Sequence, residues 1–170
     1  MYRLHFEEGE YLALHNYLLA DAPRERAAFV YVEIDQQGLS YDLHVRRVEL
    51  LTDGDFVVQA ADYLEITDEA RQRVIKTAHG GGLAVVEFHS HPFDFPAELS
   101  NADYLGLQKT VPHMLWRLKG RPYAAVVVGP NDFDGLVWPP GQPASQILTI
   151  IDGESEFAAT GRSLRKWKSS

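Results

Sequence analysis

The chain has 170 residues, 45% of them hydrophobic and 24% charged, a length and mix that fit one folded domain and exclude a largely disordered chain. Sixteen Lys and Arg against 24 Asp and Glu leave a net charge of −8, which argues against a whole-surface footprint for nucleic acid or an anionic membrane. With no cysteine there is no disulfide, iron–sulfur cluster, thiolate zinc site or cysteine nucleophile, so any metal must be held by His, Asp or Glu.

The first residues carry no apolar core of a signal peptide and no stretch reaches 18 apolar residues, so the sequence predicts a cytoplasmic protein that does not span a membrane. Leu4 and Phe6 begin a short strand, and Tyr11, Leu12, Leu14, Leu18 and Leu19 recur at helical spacing from about Glu8 to Ala20. Ala27 to Ile34 and Leu39 to Leu51, separated by Gln36-Gln37-Gly38, read as a hairpin. Phe56 to Ile66 reads as one further strand. Thr67 with Asp68 and Glu69 then caps a helix expected to run to about Ala78, where Gly80-Gly81-Gly82 stops it. The apolar run Leu83 to His89 predicts a strand buried on both faces. Ser100 opens a helix expected to break near Pro112 and resume to about Leu118. Pro122 to Val128, Gly135 to Trp138 and Gln146 to Ile151 complete the strands. The expected class is α+β (mixed α/β), with a central sheet of about six to eight strands flanked by two or three helices and no internal repeat. Residues 1–160 form the domain, and 161–170, with Arg162, Arg165, Lys166 and Lys168, read as a solvated basic tail.

The chemistry concentrates in Glu87-Phe88-His89-Ser90-His91-Pro92 and Ser100-Asn101-Ala102-Asp103. On a strand, residues i and i+2 share a face about 6–7 Å apart, so His89 and His91 can offer two imidazoles to one metal. Asp103 lies one turn into the following helix, where a strand-loop-helix reversal can return its carboxylate to them. Two nitrogens and one oxygen suit catalytic zinc, which keeps a further position open. Ser100-x-x-Asp103 also reads as a capping box with no role beyond backbone satisfaction. Two adjacent histidines on a buried strand are nevertheless costly unless something binds them.

These residues, with the acidic position in Pro23-Arg24-Glu25-Arg26-Ala27-Ala28-Phe29-Val30, resemble the JAB/MPN (JAMM) metalloprotease family, whose pattern is a distant Glu followed by H-[ST]-H-P-x6-S-x-x-D. Eight residues separate His91 from Ser100 where the pattern has seven, and Ala28 and Val32 stand where glycines often follow the family's glutamate. The resemblance spans nearly the whole chain. It implies one zinc per chain held by His89, His91 and Asp103. It also implies Glu25 as general base and Ser100 as donor to the oxyanion. The implied reaction is hydrolysis of the bond after the C-terminal glycine of a ubiquitin-like modifier, in deconjugation or in precursor processing. Stand-alone members of this kind imply E1-like and E2-like enzymes as pathway partners. Trimming of a sulfur-carrier protein and a non-catalytic MPN scaffold are the alternatives.

Two other glutamates compete for the base. Glu87 shares the strand face of the histidines, while Glu33 lies about 26 Å beyond Glu25 along its strand at about 3.3 Å per residue. His5, His15, His44, His79 and His113 are assigned no role.

Overall fold

The computed structural model describes residues 1–168. Ten strands and four α-helices occur among them: β1 Tyr2–Phe6, α1 Glu10–Leu19, β2 Ala27–Gln37, β3 Ser40–Leu50, β4 Phe56–Gln59, β5 Leu64–Ile66, α2 Asp68–Gly81, β6 Ala84–Ser90, α3 Asn101–Arg117, β7 Tyr123–Val128, β8 Phe133–Trp138, β9 Ser145–Asp152, β10 Ser155–Ala158 and α4 Arg162–Lys168. Eight strands form the main sheet in the order β1-β3-β2-β6-β7-β8-β9-β10, and a parallel pairing of β1 with β9 closes it into a barrel-like arrangement. The mixed α+β class holds, with a closed sheet and one helix more than expected.

Period-2 alternation sorts the core into two faces. Ala28, Val30 and Val32 of β2, with Ala84, Val86 and Phe88 of β6, pack with Tyr11, Leu14 and Leu18 of α1. Ala27, Phe29 and Tyr31, with Val85 of β6, meet Val74 and Ile75 of α2 and Leu107, Val111 and Met114 of α3. β6 is therefore buried on both faces, as its mostly apolar run predicts. It runs antiparallel to β2 and parallel to β7.

Several boundaries differ from the sequence expectations. Phe56 to Ile66 is two strands, since the chain reverses at Ala60, whose amide donates to Tyr63 O at 2.9 Å, and β4 and β5 pair as a separate two-stranded sheet. α2 runs on to Gly81 and stops at Gly82, whose positive φ of 65° lets its amide return to Ala78 O. α3 continues through Pro112 unbroken. Proline forfeits one helical hydrogen bond, but Leu107, Val111, Met114 and Leu118 on both sides of it are buried in the core and hold the axis.

The solvated-tail expectation fails for residues 162–168, which form α4. Asp134, wholly buried in β8, accepts from Gly161 N at 3.1 Å and Ser163 N at 2.7 Å, capping that helix. Ser163 in turn accepts from Leu99 N at 3.0 Å. Trp167 packs edge-on against Trp138 at 5.3 Å and tilted on Tyr104 at 5.5 Å. Four cations within seven residues mask an apolar pair, Leu164 and Trp167, that sits against the α2/α3 core. Among the described residues no helix is long and apolar enough to cross a membrane.

Docking of α4 is testable. Trp167→Ala removes two aromatic contacts and is expected to lower stability by about 1–3 kcal/mol, read as a fall in the urea midpoint at constant m-value; a solvated tail would leave the midpoint unchanged.

Candidate metal centre

The site sits where β6 leaves the sheet. His89 and His91 project to the α2/α3 face, and Ser90 between them points the other way, its hydroxyl wholly buried and accepting from Arg26 N at 3.0 Å. The His91 amide donates to Val128 O at 2.8 Å, so β6 stays in register with β7 past its last strand residue. Ser100 is the N-cap of α3: its hydroxyl accepts from Asp103 N at 3.1 Å, and Asp103 Oδ2 accepts from Ser100 N at 2.6 Å. The capping-box reading of Ser100-x-x-Asp103 therefore holds, and it leaves the carboxylate within reach of the histidines. The box fixes the aspartate rotamer, and the same carboxylate reaches the histidines.

His89 Nε2 lies 3.2 Å from His91 Nε2 and 3.4 Å from Asp103 Oδ1, and His91 Nε2 lies 3.3 Å from Asp103 Oδ2. Tetrahedral zinc with bonds of about 2.0–2.1 Å needs donor atoms about 3.3–3.4 Å apart; the two imidazole nitrogens are close to that spacing, each is approached by a different Asp103 oxygen, and one ligand atom from each of the three residues lies within 4.8 Å of the others. Among the described residues these three form the one His/Asp/Glu group close enough to share a metal. The His91 ring is further steered by a hydrogen bond to the Glu98 carbonyl.

Glu25 precedes β2 and is held by backbone contacts. Its amide donates to Ala60 O at 2.9 Å and its carbonyl accepts from Gln59 Nε2 at 2.8 Å, so the turn between β4 and β5 grips it from the far side. Its carboxylate is 4% exposed as a residue and reaches within 3.7 Å of His91 Nε2. Burial pushes Glu25 up to about 7, reinforced by the negative charges of Asp103 and Asp62 and opposed by His89. Burial opposes charge on His89 too, yet the Asp103 carboxylate beside it, with Glu25 and Glu87, raises it to about 9. His91 falls below its usual value through burial and the neighbouring imidazolium. Asp103 is held far below the carboxylate range, since both histidines outweigh its own burial. Together these shifts favour a proton on His89 beside an ionised Asp103.

Of the competing glutamates, Glu33 is exposed and ion-paired to Arg46 at 2.8 Å, away from the cluster. Glu87 does line the same cleft as His89 and Asp103, a space of about 290 Å³ beside β5 and α3. Its carboxylate accepts from the buried Tyr123 hydroxyl, and Arg71 acts on it electrostatically. His5 binds Asp42 at 2.7 Å, His15 binds Gly129 O at 2.9 Å, and His44, His79 and His113 also lie outside the cluster. Sequence reasoning missed the supports Gln59, Ala60 and Ser90. Only the parity of Ser90, which sets it on the strand face opposite the histidines, hinted at one of them.

A closed α+β sheet domain that brings a strand-borne His-x-His and a helix-borne Asp together beside a buried glutamate defines the JAB/MPN class. Residues 7–138 match the family model described as prokaryotic homologs of the JAB domain, and the chain belongs to that family, which includes hydrolases. The solution structure of protein DSY2949 from Desulfitobacterium hafniense is similar in fold, with a TM-score of 0.56 at 15% identity over 91% of this chain and 96% of that one. No curated protein matches the chain.

Because a ligating imidazole must be neutral and His89 holds its proton up to about pH 9, ion binding at pH 7 is expected to release about one proton per chain and to strengthen as pH rises. Calorimetric titration in buffers of different ionisation enthalpy checks this. His89→Ala and Asp103→Ala should each abolish stoichiometric uptake of a divalent ion; full retention by both removes them from the ligand set.

Proposed function

We propose that this protein is a zinc-dependent metallo-isopeptidase that hydrolyses the bond after the C-terminal glycine of a ubiquitin-like modifier. The observation that carries the reading is the buried Glu25 carboxylate, 3.7 Å from His91 and poised at the edge of the His89–His91–Asp103 triangle. A carboxylate beside a structural metal site needs no such placement; a general base does. Zinc, when bound by the three ligands, acts as a Lewis acid on a carbonyl and makes water acidic near pH 7.

Glu25, raised to about 7 by its burial, takes the proton from the attacking water and returns it to the leaving amine. Ser100 has accepted the Asp103 amide and still has its own hydroxyl proton to donate to the developing oxyanion. Glu87, committed to Tyr123, is left out of proton transfer. Among the described residues β4 and β5 pair only with each other, and β5 borders the cleft. A flexible tail ending in glycine can extend along that edge and bring its carbonyl to the metal unobstructed by side chains. The same chemistry covers deconjugation from lysine, precursor processing and trimming of a sulfur-carrier tail. E1-like and E2-like enzymes would supply the conjugates, and a prokaryotic JAB domain supports a cytoplasmic location.

Glu25→Gln is expected to keep zinc and the fold while losing about 10²–10⁴-fold in kcat/KM on a modifier–lysine conjugate. Glu87→Gln should stay within about tenfold of the parent, since it is given no proton to carry. A chelator should abolish cleavage and zinc restore it. If Glu87→Gln is dead and Glu25→Gln active, the base is misassigned; if zinc-loaded protein cleaves no glycine-terminated conjugate or fusion, the reading fails.

A further inference from the structure

The α2–α3 surface holds a groove of about 1190 Å³, far larger than the cleft at the metal centre. Lys76 and His79 of α2 line it together with His113, Trp116 and Arg117 of α3 and Lys119 just beyond. Asp68 is the one carboxylate among its described lining residues. Arg121 adds a further guanidinium at 3.4 Å from His79 Nδ1. Among the described residues no ion pair joins Lys76, Arg117, Lys119 or Arg121 to a carboxylate. In a chain of net charge −8, positive charge has been gathered here in excess of the single lining carboxylate.

Trp116 stands in the middle of this charge, 72% exposed, with the His113 ring at 6.2 Å and the Arg117 guanidinium 5.8 Å above its face. Trp and Arg side by side on a concave surface are the side chains that anchor protein partners most strongly. A groove lined by one sign of charge focuses its field on a ligand of the opposite sign.

We infer that this groove is a docking surface for an acidic segment of a partner protein, which packs a large apolar side chain on Trp116 while its carboxylates meet Lys76, Arg117 and Lys119. An extended nucleic acid suits it less, because a long polyanion would leave the groove and run over a predominantly acidic surface. Asp103 and Trp116 are 13 residues apart on α3, about 20 Å at about 1.5 Å per residue. The inference therefore does not rest on the catalytic reading and can fail or stand without it.

The test uses the full chain and a fluorescein-labelled peptide of about twelve residues, all Glu and Asp except one central leucine, followed by anisotropy at about 50 mM salt. Saturable binding is expected, weakened at least about tenfold by Trp116→Ala, by the double reversal Lys76→Glu with Arg117→Glu, and by replacing the leucine with glutamate. Unchanged circular dichroism and thermal midpoint confirm that the variants are folded. No binding at millimolar protein overturns the inference. So does binding that ignores Trp116→Ala, or equal binding of an oligonucleotide of the same length, either of which would reduce the groove to a general polyanion surface.

Discussion

Ser90 and Arg26 exchange two hydrogen bonds, Ser90 N to Arg26 O and Arg26 N to Ser90 Oγ, each 3.0 Å, and the metal centre depends on this exchange. It fixes the β2–β6 register at the end where Ala27 opposes His89, and so sets how far Glu25 stands from the imidazoles. A slip of one residue would turn both histidines to the α1 face and bring Ser90 to the cleft. The serine between the histidines is therefore a brace. Its hydroxyl is spent on the backbone that delivers the glutamate, and the pleat that turns it inward turns its neighbours outward.

The second economy is at Asp103. A carboxylate in the first turn of a helix is stabilised by the free amides there, and here one oxygen accepts the Ser100 amide while the same group faces two imidazoles. The group stays ionised, a requirement for a hard oxygen ligand, even though it is largely buried. In return, the negative charge of Asp103 keeps a proton on His89 when no metal is present, which spares the buried cluster an unbalanced charge. A metal ion bound by these residues would replace that proton, so that ion uptake and proton release would be one event.

What the sequence made legible was local. The i, i+2 spacing on an apolar strand and the i, i+3 box at a helix start are short-range patterns, and both survive in the structure with the residues expected. Glu25 is different: no periodicity singles it out among 24 acidic residues, and only resemblance to a family pattern pointed to it. Its position is made by contacts over 34 or more residues, from Gln59 and Ala60 on one side and through Arg26 to Ser90 on the other, and no window of sequence contains them. The turn at Ala61-Asp62 was lost inside a run with strand composition. The unbroken α3 and the docked α4 are cases in which tertiary burial overrode a local signal, a proline in the first and a cluster of cations in the second. Asp134, an acid within a strand otherwise apolar but for Gly135, was the one residue in the text that marked α4, since a buried carboxylate needs donors and the amides of Gly161 and Ser163 supply them.

The candidate metal centre and the α2–α3 groove are also joined by the physics of one helix. α3 carries Asp103 in its first turn and Arg117 in its last. Its dipole therefore favours the anion at the metal end and the cation at the groove end, each by a few tenths to about 1 kcal/mol where exposed. α2 repeats the arrangement, with Asp68 and Glu69 in its first turn and His79 in its last. α3 contributes its last turn to the groove, where its dipole makes lysines and arginines less costly to keep, whereas α2 lines the groove from its first-turn Asp68 to its last-turn His79. The charge separation follows from the fold itself. It lets a protein of net negative charge hold an ionised carboxylate at one end of α3 and a cationic, tryptophan-bearing groove at the other, too far apart for screened charges to disturb each other at physiological salt.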